Sequence, residues 1–135
     1  MQLQPYLSFS GQCEEALDFY RSVFGGEIVG INRYGGSQME GDVPPDWGDK
    51  VMHATFIAGD ITIMAADSCQ EQPGANNARA RLCVGSAVHD DGQRVFDGLA
   101  AGGSVTVPYA KQFWGSSFGM LVDRFGIEWM VNAGG

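Results

Sequence analysis

Tyr6 to Ser10 reads as a short strand, and a different period follows it. Ala16, Leu17, Tyr20, Val23 and Phe24 recur at helical spacing and form one apolar stripe. Ser10 is the expected N-cap, and Glu14 and Glu15 fall in the first turn, where the helix dipole favours acids. Gly25-Gly26 ends the helix, because glycine accepts the left-handed conformation that a helix stop uses. Glu27 to Tyr34 reads as a strand. Residues 35–50 combine glycines, Pro44-Pro45 and several acids and read as a long surface loop. Val51 to Ala58 and Ile61 to Ala66 are two strands joined at Gly59-Asp60, a hairpin signal. No periodicity survives over 67–78, which reads as a linker.

The order then repeats. Arg79 to Gly85 reads as a strand. Val88, Val95, Phe96 and Leu99 mark a helix that ends at Gly102-Gly103, and Ser104 to Tyr109 is the next strand. Phe118 to Val122 and Ile127 to Asn132 form a hairpin across Asp123-Arg124-Phe125-Gly126. Helix, Gly-Gly stop and Val/Ile strand occur as Val23-Phe24-Gly25-Gly26-Glu27-Ile28-Val29 and again as Ala100-Ala101-Gly102-Gly103-Ser104-Val105. Each half is strand, helix and three strands, so the fold class is α+β with two βαβββ modules, about 1–66 and 79–135. One module has a sheet face it cannot cover alone; two together enclose a cavity with a curved mixed sheet. A ferredoxin-like sandwich has a similar element order and is the competing fold.

Composition changes this picture only at the margins. With 16 acidic and 8 basic residues the net charge is −8, and a phosphate-backbone binder needs the opposite balance. No apolar run approaches the ~18 residues of a membrane span. The N-terminal residues lack the basic-then-apolar pattern of a secretory signal. Cys13, Cys69 and Cys83 are odd in number and have no CxxC spacing, which points to reduced thiols, a cytoplasmic location and no thiolate zinc site.

Several stretches together carry a resemblance to a known family. They are Pro5 to Gly11, Glu15-Ala16-Leu17-Asp18-Phe19-Tyr20, Phe24-Gly25-Gly26, Met52-His53-Ala54, Gly59-Asp60, Phe113-Trp114-Gly115 and Asp123 to Trp129. The chain resembles the PhnB-like proteins of the vicinal oxygen chelate superfamily, which includes glyoxalases, bleomycin-resistance proteins and extradiol dioxygenases. The resemblance covers nearly the whole chain. It implies a half-open barrel around a small-molecule pocket, and a homodimer, since relatives usually pair. Some relatives are described as demethylubiquinone methyltransferases. No GxGxxG-like turn follows a parallel strand here, so nothing in the sequence supports a nucleotide-type methyl donor site.

Metal-dependent members hold a divalent ion with His and Glu at four strand positions, and by resemblance these fall on Pro5, Met64, Arg79 and Glu128. Proline offers no side-chain donor, a thioether suits hard ions poorly, and a guanidinium repels cations. No metal and no other cofactor is therefore expected, except at a relocated site.

What remains is an organic constellation. Arg79 either pairs with Glu128 or binds an anionic ligand group; a purely structural ion pair is the plainer alternative. His53 lies on a strand among apolar residues, where it acts as a general base with Glu128 as acid, or simply makes a structural hydrogen bond. Trp114 suits stacking on a flat or cationic ligand, with Tyr109, Phe113 and Met64 in support; packing over a sheet edge is the alternative. His89 reads as a surface or capping residue, and Asp123 as a turn cap. Met39, Met52, Met120 and Met130 read as core or pocket filler. These residues favour small-molecule binding of the antibiotic-resistance type. The rivals are an enzyme acting on a small oxygenated substrate and a silent relative that works through protein contacts.

Overall fold

The computed structural model describes residues 1–69 and 80–134. The chain divides into two compact units, Met1–Ala75 and Asn76–Gly135. The expected 67–78 linker lies mostly outside the described residues.

In the first unit the order is β1 (Tyr6–Phe9), α1 (Cys13–Phe24), β2 (Glu27–Arg33), β3 (Val51–Ala58) and β4 (Ile61–Asp67). The sheet runs β1-β4-β3-β2, with β1 parallel to β4 and the other pairs antiparallel. Cys13, Ala16, Leu17, Tyr20 and Val23 of α1 are buried, and they lie over the sheet face that buries Ala54, Phe56, Ile63 and Ala65. The apolar stripe of the helix and the period of two in the strands thus meet in one core.

Ser10 does not cap α1. The N-cap position is Gln12, which makes no side-chain cap bond. Asp67, at the end of β4, does this work from across the module. Its Oδ1 accepts the N–H groups of Gly11 at 2.9 Å and Cys13 at 2.8 Å, and its Oδ2 accepts the Val51 N–H at 3.0 Å. The Asp67 carbonyl in turn accepts the Tyr34 hydroxyl at 2.6 Å.

The loop 35–50 contains two 3-10 turns, Glu40–Asp42 and Pro45–Trp47. Its two ends are tied together by Tyr34 N–H to the Lys50 carbonyl and Gly35 N–H to the Gly48 carbonyl. Lys50 Nζ donates to the Gly11 carbonyl, and the Tyr34 ring packs near Trp47.

The second unit has β5 (Leu82–Ser86), α2 (His89–Ala100), β6 (Ser104–Lys111), β7 (Ser117–Val122) and β8 (Glu128–Ala133). Its sheet order, β5-β8-β7-β6, repeats the first, again with one parallel pair. Val95, Phe96 and Leu99 of α2 pack against a face that buries Leu121, Trp129 and Val131. The element order and sheet topology expected for two βαβββ modules are both present. Asp123 caps its turn as expected: its Oδ1 accepts the N–H groups of Phe125 and Ile127, and its Oδ2 also accepts the Trp129 indole N–H at 2.8 Å.

All three cysteines are free thiols, with Cys13 buried and Cys69 and Cys83 exposed. Burial first, then the nearby Asp67 and Glu14 charges, push the Cys13 thiol up to about 12. Ellman's reagent is therefore expected to titrate two thiols in the native protein and three in urea; three fast native thiols would refute the burial. In the unfolded chain this thiol ionises near its ordinary value of 9.0, while in the fold it stays protonated up to about 12. Its contribution to stability is complete below about pH 9 and declines as pH rises toward about 12.

Candidate functional site

Each sheet has a second face, turned away from its helix. In the first unit the register sets Tyr6 beside Met64 and Met64 beside Thr55, with His53 two residues along β3 on the same face. The Tyr6 and His53 rings lie 5.9 Å apart, tilted by 48°. His53, Met64 and Thr55 are half-buried and Tyr6 is exposed. Pro5, assigned by resemblance to a ligand position, is one residue short of this row; its backbone carbonyl accepts the Met64 N–H at 3.0 Å. The side chain that stands next to Met64 is Tyr6, which the sequence alone did not single out, because alternation from Pro5 puts Tyr6 on the opposite face.

In the second unit the same face carries Cys83, Met120, Met130, Phe118 and Glu128. One step back along the β5/β8 register, Arg81 stands opposite Glu128, and its Nε lies 3.2 Å from Glu128 Oε2. Arg79, the expected partner, lies outside the described residues. The cation found beside Glu128 is Arg81, two residues further on. Among the described residues Glu128 Oε2 is buried and has no partner in hydrogen-bond geometry, so the pairing with Arg81 is Coulombic.

Trp114 belongs to the turn between β6 and β7. Its indole N–H donates to Ser116 Oγ at 2.5 Å, and its ring meets Phe113 edge-on at 4.9 Å and Phe118 at 6.3 Å. With the N–H satisfied inside the turn, about half of Trp114 stays exposed (54%), and Phe113 is almost wholly exposed (96%). Met120 and Met130, read above as filler, are paired across β7 and β8 on the Phe118 face.

Tyr109 departs from its expected place. It lies on the helix side, stacked on Phe96 at 5.6 Å and on His89 at 5.1 Å, with its hydroxyl donating to the His89 carbonyl. Burial raises its phenol above the ordinary value. The cause is β6 itself: register shifts between Val105 and Val107 and between Val107 and Ala110 interrupt strict alternation, so counting by twos misplaces Tyr109. His89 is likewise more than a surface residue, since its Nδ1 bonds Ser117 Oγ at 2.5 Å.

Neither row presents a ligand set for a hard divalent ion: the first unit offers a phenol (Tyr6) and a thioether (Met64), and the second one carboxylate (Glu128) already facing a guanidinium (Arg81). Among the described residues, no three His, Cys, Asp or Glu side chains group as a ligand set.

Comparison with known proteins agrees with the fold. A family profile described as 3-demethylubiquinone-9 3-methyltransferase matches residues 1–132. The protein YjdN of Escherichia coli K12 is 30% identical over 98% of this chain and 95% of its own. Protein PA1353 of Pseudomonas aeruginosa superposes with a TM-score of 0.86 at 37% identity, covering 99% of this chain and 98% of that one. The PhnB protein of Bacillus cereus, itself described as a putative 3-demethylubiquinone-9 3-methyltransferase, superposes at 0.82 and 29% identity over 98% and 99% of the two chains. A glyoxylase/bleomycin resistance protein/dioxygenase domain from Frankia, 12% identical with a TM-score of 0.69 over 100% and 93%, shares the fold alone. Two four-stranded βαβββ modules and a match over nearly the full chain place this protein in the PhnB-like family, described as 3-demethylubiquinone-9 3-methyltransferase, with the fold of a glyoxylase/bleomycin resistance protein/dioxygenase domain.

Proposed function

We propose that this chain binds a small organic molecule on the open sheet face of its second module and does so without a four-ligand metal centre. The observation that carries the reading is Trp114. Its polar atom is satisfied by Ser116, its ring is half exposed, and Phe113 and Phe118 flank it beside the Met120–Met130 row. Such a surface suits a flat ring, and the acidic balance of the chain favours a cationic one. The methyl-transfer chemistry in the family's description is not part of this reading, because neither sheet is the doubly wound parallel type that holds a nucleotide cofactor at its first turn. A homodimer and a cytoplasmic location belong to the same proposal. Light scattering reads the first, and no helix among the described residues is long and apolar enough to cross a membrane.

The test begins with a fluorescence titration of flat cationic aromatic compounds, acriflavine first. Binding is expected to saturate, to survive EDTA, and to weaken about tenfold in Trp114→Ala, the scale of one lost stacking contact. Unchanged affinity in that variant would remove Trp114 from the site. Stoichiometric Zn, Mn, Ni or Fe in untagged protein would overturn the metal-free reading.

A second reading has one observation in its favour, the half-buried His53 held against Tyr6. In that reading the chain turns over a small oxygenated substrate with His53 as base. Full activity in His53→Ala would take His53 out of the mechanism.

A further inference from the structure

The helix side of the second sheet carries a feature separate from the Trp114 face. Where β6 ends, β7 begins and β8 ends, a concavity of about 430 Å³ is lined by His89, Lys111 and Ser117, with Gly115, Ala133 and Gly134 completing it. The register explains the grouping, since Lys111 pairs with Ser117 and Ser117 with Ala133 in one row across the sheet.

His89 is exposed yet held three ways. Its Nδ1 bonds the hydroxyl of buried Ser117 at 2.5 Å, its ring stacks on Tyr109 with planes 18° apart, and its carbonyl accepts the Tyr109 hydroxyl at 3.0 Å. The His89–Ser117 bond forms with either tautomer, and the other ring nitrogen, Nε2, has no hydrogen-bond partner among the described residues.

Lys111 is the second donor. In a chain with 16 acids and 8 bases, cations readily find protein acceptors. Arg21 has Asp18, Arg33 has Glu14, Arg81 has Glu128, Lys50 has the Gly11 carbonyl, Arg124 has the Ala101 carbonyl, and Arg94 is engaged as well. Lys111 makes no such bond among the described residues, although it lies in a concave wall.

We propose that this pocket binds a compact oxyanion, a carboxylate or phosphate group, between Lys111 Nζ and the His89 ring, which donates from Nε2 when the anion is bound, with Ser117 and Tyr109 holding the imidazole in place. An unpaired ammonium and a held imidazole lining one concavity match the charge and acceptor geometry of an oxyanion.

The test follows the histidine and lysine side-chain NMR signals of the whole protein while sodium phosphate is added, against sodium chloride at matched ionic strength. Saturable shifts at His89 and Lys111 are expected with phosphate and not with chloride. Lys111→Ala should weaken the apparent affinity about tenfold, the scale of one charge-assisted bond. A parallel sodium acetate titration separates the two sources: tighter phosphate binding identifies a phosphate group, and equal or tighter acetate binding a carboxylate. Shifts that chloride reproduces, or a phosphate curve unchanged in Lys111→Ala, overturn the proposal.

Discussion

Asp67→Ala is expected to lower the stability of the first unit by about 4 kcal/mol, because it leaves buried N–H groups without acceptors at roughly 1–3 kcal/mol each. Three N–H groups converge on this carboxylate, from Gly11, Cys13 and Val51. Asp67 is almost fully buried, at 1% exposure, so water reaches the gap only by opening the structure. Domains of this size have about 5–15 kcal/mol in total, so the loss is a large fraction. Asp67→Asn separates the parts. Its carbonyl oxygen still serves Gly11 and Cys13, but its amide turns a donor toward the Val51 N–H, so about half the loss is expected. Urea unfolding followed through Trp47 fluorescence reads the first unit, and Trp129 in the β8 core reports on the second. A loss below about 1 kcal/mol in Asp67→Ala would show that the three bonds are replaceable.

Asp67 also shows where the sequence stops being legible. Locally it is an acid that follows Ala65-Ala66 and precedes a stretch without periodicity, so it reads as the first linker residue. Its partners stand 16, 54 and 56 residues away, and no local pattern encodes them. The same gap explains Ser10, a good N-cap residue that is not used, because the helix start is already satisfied from β4. By contrast, the core of each module was readable. The stripe Ala16, Leu17, Tyr20 and Val23 needs only period 3.6, and Val51–Ala58 needs only period two with a turn at Gly59-Asp60.

The candidate site was legible in residue type and less so in position. Trp114 and Phe113 are where an aromatic turn puts them, and Glu128 starts its strand. Arg79, the cation expected beside Glu128, lies outside the described residues, and among those described Arg81 stands there. That placement depends on the parallel register of β5 and β8, a non-local property. Tyr109 lies on the helix side through the register shifts of β6, and the pocket at Ser117 was not legible because its members come from four separate elements. A function read from residue types alone would therefore have grouped Tyr109 with Trp114. The structure sets Trp114 against Phe118 and Tyr109 against His89 on the helix side, so the two binding proposals rest on different residues and can fail independently.

The repeated Gly-Gly stop provides the last large effect. The first glycine of each pair, Gly25 and Gly102, has a positive φ (77° and 78°), which ends the helix. The second has a different task. A Cβ on Gly26 would collide with the Ile57 carbonyl and Ala58, and one on Gly103 with the Val122 carbonyl and the Asp123 backbone. Each helix thus leaves its module across the backbone of the hairpin it packs on, which is why the pair recurs at the same place in both halves. Gly26→Ala combines that collision with a φ of 86° and is expected to cost about 3 kcal/mol. Gly103→Ala meets the collision without the positive φ, at about 2 kcal/mol. Gly25→Ala meets nothing within 4 Å and bears only the conformational strain, about 1 kcal/mol. Urea midpoints at an unchanged slope should fall in that order. If Gly25→Ala proved as damaging as Gly26→Ala, the second glycine would be a helix stop like the first, and the shared packing of helix exit on hairpin would not be what the repeat preserves.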